Sequence, residues 1–247
     1  MTDPGSADPA APARVDPVRA MTALRALSDP ERAAKAAAYH KTEREMLGVP
    51  VPEITALTDA WRAEDPTVAG RAALASALWE TGVFEARIAA AKLLTQARIR
   101  GEGPEGDAPV WELIVSWVPQ LDGWALADHV ADAGARRLSA DPSRLDEVEG
   151  WTRAEHMWTR RAAMVFTLPW SKLRHPSPED LERRERILSW AADYVADREW
   201  FIQKSVAWWL RSLSARDPER VRAFLAEHGG AMKPFARRDA LRRIDRL

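Results

Sequence analysis

Helical periodicity runs through almost the whole sequence. Glycine is scarce, at 12 of 247 residues, and alanine, leucine, arginine and glutamate, all strong helix formers, dominate the composition. Nearly every apolar stretch repeats with the spacing of an α-helix, and the alternation of a β-strand is almost absent. The sequence therefore predicts an all-α protein with short connections. The predicted helices cover 18–28, 30–46, 52–62, 67–80, 82–98, 109–119, 123–139, 142–147, 151–167, 178–196, 198–214, 217–227 and 235–246.

Aspartate followed by proline predicts where several of these helices begin. The aspartate side chain accepts a hydrogen bond from the first turn, and proline has the backbone angle that the first helical position needs. Asp122, just before Gly123, is likewise predicted to be an N-cap. The Asp-Pro starts are Asp29-Pro30, Asp65-Pro66, Asp141-Pro142 and Asp217-Pro218.

Three of the predicted helices share a sequence pattern. Each begins with an aromatic residue and basic residues and continues with small and aliphatic residues. They are 84-FEARIAAAKLLTQA-97, 158-WTRRAAMVFTL-168 and 201-FIQKSVAWWLRSL-213. This pattern resembles the inner helix of a HEAT-like repeat, in which helix pairs stack into a curved solenoid. The repeats have no fixed period, so a plain helical bundle is an open alternative.

Composition excludes several classes of function. The chain has no cysteine, which excludes disulfides, thiolate zinc sites and cysteine nucleophiles and favours a reducing cytoplasm. The sequence contains no run of 18 apolar residues, so it predicts no membrane-spanning helix. The five histidines have no spacing typical of a metal site. We expect residues 1–17, rich in Pro, Ala and Asp, to be a disordered leader, and residues 18–247 to form a single domain.

The charge is divided unevenly between the two halves of the chain. Residues 151–247 contain 20 Lys and Arg against 13 Asp and Glu, whereas residues 1–150 contain 16 against 24. A basic C-terminal half suits phosphate binding. A solvated helical surface would have the same composition, so charge alone leaves both interpretations open.

The segment 121-LDGWALADHV-130 places an aromatic residue and a carboxylate on one face of a helix. Trp124 and Asp128 are four residues apart, which is about one helical turn. An acid beside an indole is suited to bind a flat cationic group and to stabilise positive charge. The plainer interpretation is a core tryptophan with a solvated aspartate near the helix N-terminus.

Three further patches could belong to the same site. Arg161 lies in 157-MWTRRAAMVFTL-168, where its neighbour Arg160 is an alternative. Lys204, Trp208 and Arg211 share one face of the helix 198–214. Trp209 points to a different face and is expected to pack in the core. The third patch is Tyr39, which could line a groove or pack. The tryptophans expected in the core by default are Trp79, Trp111, Trp117, Trp190 and Trp200.

Taken together, these segments resemble the DNA alkylation-repair glycosylases of the AlkD type, which are built from HEAT-like repeats. The resemblance covers about residues 30–246, and its segments occur in the order found in the family. One stretch, Thr42–Met46, departs from the aromatic-rich pattern of many relatives. The matching segments are AAYHKTEREMLGVPVPEI, FEARIAAAKLL, LDGWALADHV, WTRRAAMVF, REWFIQKSVAWWLR and ARRDALRRI.

The resemblance implies a fold, an activity and a set of site residues. The fold would be a curved solenoid with a concave basic DNA-binding face. The activity would be hydrolysis of the N-glycosidic bond of N3-methyladenine and N7-methylguanine, cationic alkylated purines in duplex DNA, in base excision repair. The implied residues are Asp128 as the catalytic acid, Trp124, Trp208 and Tyr39 as substrate-binding aromatics, and Arg161, Lys204 and Arg211 as DNA contacts.

We also expect a monomer that needs no cofactor or metal and works in the cytoplasm on the bacterial nucleoid. A single carboxylate suits this chemistry because a cationic purine leaves as a neutral base and needs no general acid. The alternative is a non-catalytic HEAT-like scaffold or nucleic-acid-binding module, since solenoids commonly serve as scaffolds.

Overall fold

A computed structural model describes residues 15–244, and within them every regular element is a helix. This confirms the predicted all-α class. The chain divides into two compact units between Leu113 and Ile114. Residues 1–14 of the predicted leader lie outside the described residues. The last three residues of that segment are described, and Val15 is buried while Asp16 caps the first helix at Pro17.

The helices of the first unit precede Asp107, and those of the second unit follow Trp117. The helix α6, Asp107–Trp117, contains the point of division. The first unit contains α1 (Pro17–Ala26), α2 (Pro30–His40), α3 (Val51–Glu64), α4 (Val68–Glu80) and α5 (Phe84–Leu94). The second contains α7 (Trp124–Ala140), α8 (Leu145–Trp151), α9 (Met157–Phe166), α10 (Leu168–Lys172), α11 (Pro178–Tyr194), α12 (Trp200–Ser214), α13 (Pro218–His228) and α14 (Pro234–Leu241).

The predicted helix starts hold at most of the Asp-Pro positions. Asp29 caps α2 and Asp217 caps α13 through the predicted side-chain hydrogen bonds, and Asp141 caps a short 3₁₀ helix. The prediction at Asp65 is wrong. Its Oδ1 accepts hydrogen bonds from the backbone N–H of Thr67 at 3.0 Å and from the Thr67 hydroxyl at 2.5 Å. Thr67 therefore becomes the N-cap, and α4 begins one residue later.

Three predicted helices are clearly shorter than their periodicity indicated, and one of them, predicted over 82–98, spans only Phe84–Leu94. The helix predicted over 30–46 ends at His40 because Lys41 has left-handed backbone angles, with φ of 52°. The helix predicted over 151–167 begins only at Met157, and Trp151 instead ends α8. Residues 41–45 are polar residues that a helix surface would also accept, and Trp151 and Met157 flank the second break, so the spacing of apolar residues alone did not mark either break.

The core of the first unit is built around α5, which is buried along almost its whole length and packs on α3 and α4. Its Glu85 is also buried and accepts backbone hydrogen bonds from Leu47 at 2.9 Å and Gly48 at 2.7 Å. Gly48 has φ of 75°, and a Cβ there would lie 2.4 Å from the carbonyl oxygen of Asp29. The loop before α3 is thus fixed from within the core.

The core of the second unit is built around α12, which packs on α9, α10, α13 and α14. Helix α7 packs on α9, and Gly134 makes this approach possible, because a Cβ at that position would lie 2.0 Å from Cε2 of Phe166. The curved solenoid with a basic concave face stays a prediction. No helix within residues 15–244 is long and apolar enough to cross a membrane.

Candidate active site

Trp124 and Asp128 both lie in the first two turns of α7. Trp124 is the first residue of the helix and is half-buried, and the side chain of Asp128 is 31% exposed. Asp122 is not the N-cap, contrary to the sequence prediction. The cap is Gly123, whose extended backbone leads into the helix without a side-chain hydrogen bond. The aromatic residue and the acid are therefore partly accessible at the beginning of one helix.

Arg161 is the direct partner of Asp128. Its Nη2 donates to Oδ1 of Asp128 at 2.8 Å, and its Nη1 donates to the backbone carbonyl of Phe201 at 3.0 Å. These residues belong to α7, α9 and α12, so a single guanidinium connects three helices. A charge-assisted contact of this kind is stronger than a neutral hydrogen bond and fixes the position of the carboxylate.

The burial of Arg161 is unusual for an arginine. Its side chain is 3% exposed, and its buried Nε has no hydrogen-bond partner among the described residues. A buried donor without a partner costs about 1–3 kcal/mol, so the arrangement needs a compensating reason. With so little exposed surface, the guanidinium has its hydrogen bonds to Asp128 and the Phe201 carbonyl, and its predicted contact with DNA stays a prediction.

The neighbouring Arg160 has a different set of contacts. It donates to the carbonyls of Ala154 and Glu155, both at 2.8 Å, and lies 3.4 Å from the carboxylate of Asp197. The two arginines therefore differ in their contacts within the protein, and which of them contacts DNA stays a prediction. Arg161 is the one that reaches Asp128.

The predicted stripe on α12 lies at the surface of the helix. Lys204 is exposed, and Trp208 and Arg211 are partly exposed. Trp209 is completely buried, and its Nε1 donates to the carbonyl of Thr167 at 3.3 Å. The predicted division of the adjacent indoles, with Trp209 in the core, is confirmed.

Arg211 already has an ionic partner. Its Nη1 lies 2.5 Å from each carboxylate oxygen of Asp239 on α14. Both side chains are about three-quarters buried. A phosphate could bind Arg211 only by displacing the Asp239 carboxylate or by binding the guanidinium together with it. Asp239 was not singled out from the sequence, because it is 28 residues away and belongs to a different helix.

Most of the tryptophans expected in the core are buried, which confirms those predictions for Trp79, Trp111, Trp117 and Trp190. The prediction for Trp200 is wrong, since 45% of its surface is exposed. It is the first residue of α12, where the helix meets the preceding loop and packing covers only part of the indole.

Tyr39 lies in the first unit, near the end of α2. It is 71% exposed, and its ring meets the ring of His40 edge-on at 5.0 Å between centroids. Its role in substrate binding stays a prediction. Within residues 15–244, no group of three or more His, Asp or Glu side chains is arranged to hold a metal ion.

The chain belongs to the family described as DNA alkylation repair enzymes, whose model matches residues 20–244. No curated protein matches the sequence with significance. The family match covers Asp128, Arg161 and the α12 stripe, so the candidate site lies within the matched residues.

Solved structures support the same fold. The chain is similar to a predicted DNA alkylation repair enzyme from Enterococcus faecalis, at 24% identity and a TM-score of 0.70, over 89% of this chain and 98% of that one. It also matches smu.31 from Streptococcus mutans UA159 at 17% identity, with a TM-score of 0.51 over 91% and 96% of the two chains. AlkD2 from Streptococcus mutans aligns at 18% identity, with a TM-score of 0.49 over 85% and 87%.

Proposed function

We propose that the protein is a monofunctional DNA glycosylase that hydrolyses the N-glycosidic bond of cationic alkylated purines, N3-methyladenine and N7-methylguanine, in duplex DNA. The observation that carries the proposal is the partly exposed Asp128, held by the buried Arg161 in a chain of the DNA alkylation repair family. The family match is what favours an enzyme over a scaffold, since an ion pair between helices could also be purely structural.

The chemistry requires little from the protein because the substrate is already activated. An alkylated purine with a formal positive charge leaves as a neutral base, taking the electron pair of the C1′–N bond. The deoxyribose is left with oxocarbenium character, and water adds to C1′ and loses a proton. A carboxylate beside C1′ stabilises the developing charge more in the transition state than in the ground state, which is the requirement for catalysis.

Asp128 is suited to that role by the way it is held. Arg161 engages Oδ1, so Oδ2 is not used by this ion pair and is the oxygen that would face the sugar and the attacking water. Arg161 is then a positioning residue rather than a phosphate contact. Its second hydrogen bond, to the Phe201 carbonyl, prevents the guanidinium from rotating away with the carboxylate.

Trp124 and Trp208 would supply the aromatic surfaces for the cationic base. An indole face attracts a cation by about 0.5–2 kcal/mol, and the attraction is largest where water is excluded. Both indoles are partly exposed, as a ligand-binding ring must be. A neutral base would lose this attraction and would also be a poorer leaving group, so unmodified purines should be left intact.

Lys204 and Arg211 would contact the phosphate backbone, Lys204 directly and Arg211 by exchanging Asp239 for a phosphate. Such contacts fix the position of the duplex and read no sequence. Binding should therefore weaken as salt increases and depend little on sequence. Tyr39, whose ring is 71% exposed, is kept as a proposed aromatic contact to the DNA.

The decisive experiment measures bases released from methylated duplex DNA by the wild type and by Asp128→Asn. The wild type should release N7-methylguanine or N3-methyladenine. The variant should lose at least about a hundredfold in rate, because the amide has no negative charge to offset the oxocarbenium ion. Its affinity for DNA and its unfolding curve should be close to those of the wild type. Release by the variant at the wild-type rate would exclude the mechanism, and no release by the wild type would favour a non-catalytic scaffold.

A further inference from the structure

Trp200 is the most exposed tryptophan next to the candidate active site. It precedes Phe201, whose backbone carbonyl accepts the hydrogen bond from Arg161. The Trp200 and Phe201 rings meet edge-on, with centroids 4.8 Å apart. The Trp200 indole is 45% exposed and lies with the Phe201 and Phe235 rings in one aromatic cluster.

The indole of Trp200 is held as a platform. Phe235 of α14 is stacked against it at 5.6 Å, with an angle of 27° between the rings. The Nζ of Lys204, one turn along α12, lies 4.5 Å from the centroid of the indole. The ring is therefore fixed by packing with Phe235 and is contacted by a flexible side chain that can leave it.

Basic residues predominate on the helix that carries Phe235, although the exposed Glu199 directly precedes Trp200. Besides Lys204, the helix α14 that carries Phe235 has Arg237 and Arg238 exposed on it, and Arg242 and Arg243 follow its last residue. Exposed basic residues on the same helix as an aromatic ring suit a polyanion whose repeating units have flat faces, which is the chemistry of a nucleic-acid strand. An apolar or acidic protein segment would match the rings or the charges but not both.

We propose that Trp200 and Lys204 form a second nucleotide-binding position, at which an unpaired base of the DNA stacks on the indole and the Lys204 ammonium moves from the ring to a flanking phosphate. This proposal rests on the proposed function, which supplies DNA as the ligand. A paired base inside a duplex has both faces covered by its neighbours, so only an unpaired base can use the platform.

Replacing the Lys204 ammonium on the Trp200 ring by a stacked base is favourable, because the base binds the ring more strongly than the lysine does. An exposed contact between a lysine and an indole is equivalent to about a two- to fivefold change in an equilibrium constant. Stacking of a base on an aromatic side chain is equivalent to about a five- to 150-fold change. The Lys204 ammonium gains a phosphate partner from either duplex and leaves the ring open, so the preference between the duplexes comes from the stacked base.

The experiment compares Kd values, by fluorescence anisotropy, for two labelled duplexes of the same sequence, one fully paired and one with a single unpaired nucleotide. The wild type should prefer the second by about fivefold or more. Trp200→Leu, which keeps an apolar side chain beside Phe235 but has no aromatic face, should remove the preference. Trp200→Phe should retain most of it. Circular dichroism of both variants establishes that they are folded.

Two further variants separate stacking from other effects. Leu181→Ala removes an apolar side chain of the same 45% exposure from α11 and should leave the preference unchanged. Lys204→Gln should weaken binding to both duplexes and reduce the slope of log K against log salt by about one phosphate contact, with the preference retained.

A preference that persists in folded Trp200→Leu would overturn the proposal, as would a wild type that binds the two duplexes equally. The comparison requires no base release. If the glycosylase proposal fails in its own assay, the preference for the unpaired base is still measured and still decides whether the platform exists.

Discussion

Two side chains define the candidate site at the scale of single residues, a carboxylate that is 31% exposed and a guanidinium that is 3% exposed. By its charge alone, Arg161 could either bind a phosphate of the DNA or hold Asp128 in place, and its burial favours the second role. An arginine that binds phosphates affects affinity and its salt dependence, whereas an arginine that holds Asp128 affects the chemical step. The two roles therefore predict different measurements.

Arg161→Lys should lower the rate of base release by about tenfold to a hundredfold, because a lysine cannot bind Asp128 and the Phe201 carbonyl together and a small displacement of a catalytic group is costly. The slope of DNA affinity against salt should not change. Single-turnover rates and anisotropy titrations over a range of salt concentrations measure the two effects. Lys204→Gln is the matched control, with the opposite pattern. A reduced salt slope in Arg161→Lys with a normal rate would assign Arg161 to the backbone instead.

The adjacent indoles on α12 provide a second comparison. Trp209→Ala should lower the free energy of unfolding by about 3–5 kcal/mol, since this side chain is completely buried and bonded to Thr167. Trp208→Ala should leave the free energy of unfolding within about 1 kcal/mol of the wild type, as expected for a partly exposed residue, and lower the rate of base release. Urea unfolding and base-release assays distinguish them. Equal stability losses in the two variants would contradict the assignment of Trp208 to the site.

The site was only partly predictable at this scale. Helical spacing placed Trp124 with Asp128 and separated Trp208 from Trp209, because those relations lie within one helix. The contact between Asp128 and Arg161 joins residues 33 positions apart, and the burial of Arg161 depends on α12 as well. No pattern within one helix contains that information. Trp200 was misjudged because exposure at a helix end depends on what packs against it.

Helices α7 and α9 hold the acid and its partner, so the packing of these elements determines whether the site exists. Gly134 is the position at which α7 comes closest to Phe166 of α9. The glycine in the middle of α7 costs some helix stability and is retained because no side chain fits.

Gly134→Ala should destabilise the protein by about 1–3 kcal/mol, because its Cβ would overlap the Phe166 ring and force the helices apart. Displacement of α9 would also move Arg161 and reduce base release. Gly150→Ala is the matched control, since nothing lies within 4 Å of its Cβ in α8. There the change should be neutral or stabilising by up to about 1 kcal/mol. Thermal or urea unfolding compares the two variants, and equal stability would contradict the described packing.

The predicted helix starts were right where residues next to the start determine it. Asp29 and Asp217 began helices as predicted, because a cap needs only the residues next to it. Asp65 failed because its carboxylate binds Thr67, which is an equally local alternative. The early end of α2 depends on the left-handed backbone of Lys41, a residue with no strong preference for that conformation.

At the scale of the whole molecule, stability depends on charges that are paired between helices. Glu149 of α8 accepts hydrogen bonds from Arg186 of α11 and, at 2.9 Å, from Nε1 of Trp190. The hydrogen bond from Arg186 lowers the pKa of Glu149 below its ordinary value of 4.5, with a smaller contribution from Trp190. Folding therefore favours the ionised carboxylate.

Glu149→Gln should destabilise the protein at neutral pH and have progressively less effect in acid. A lowered pKa in the folded state gives stability that is present above pH 4.5 and is lost as the pH falls through the folded value. Urea unfolding at pH 7 and at about pH 3 measures the difference. Glu182→Gln, at an exposed position on α11, should have little effect at either pH. A stability difference for Glu149→Gln that is independent of pH would contradict this account.

The hydrogen bonds from Leu47 and Gly48 to Glu85 have a consequence for how this protein can change over evolutionary time. Glu85 binds backbone N–H groups, which every amino acid except proline provides. The path of the chain into α3 is therefore maintained from 37 positions away, whichever side chains precede it. The turn at Leu47 and Gly48 therefore tolerates changes of side chain in the preceding stretch Thr42–Met46, so long as Glu85 and Gly48 are kept.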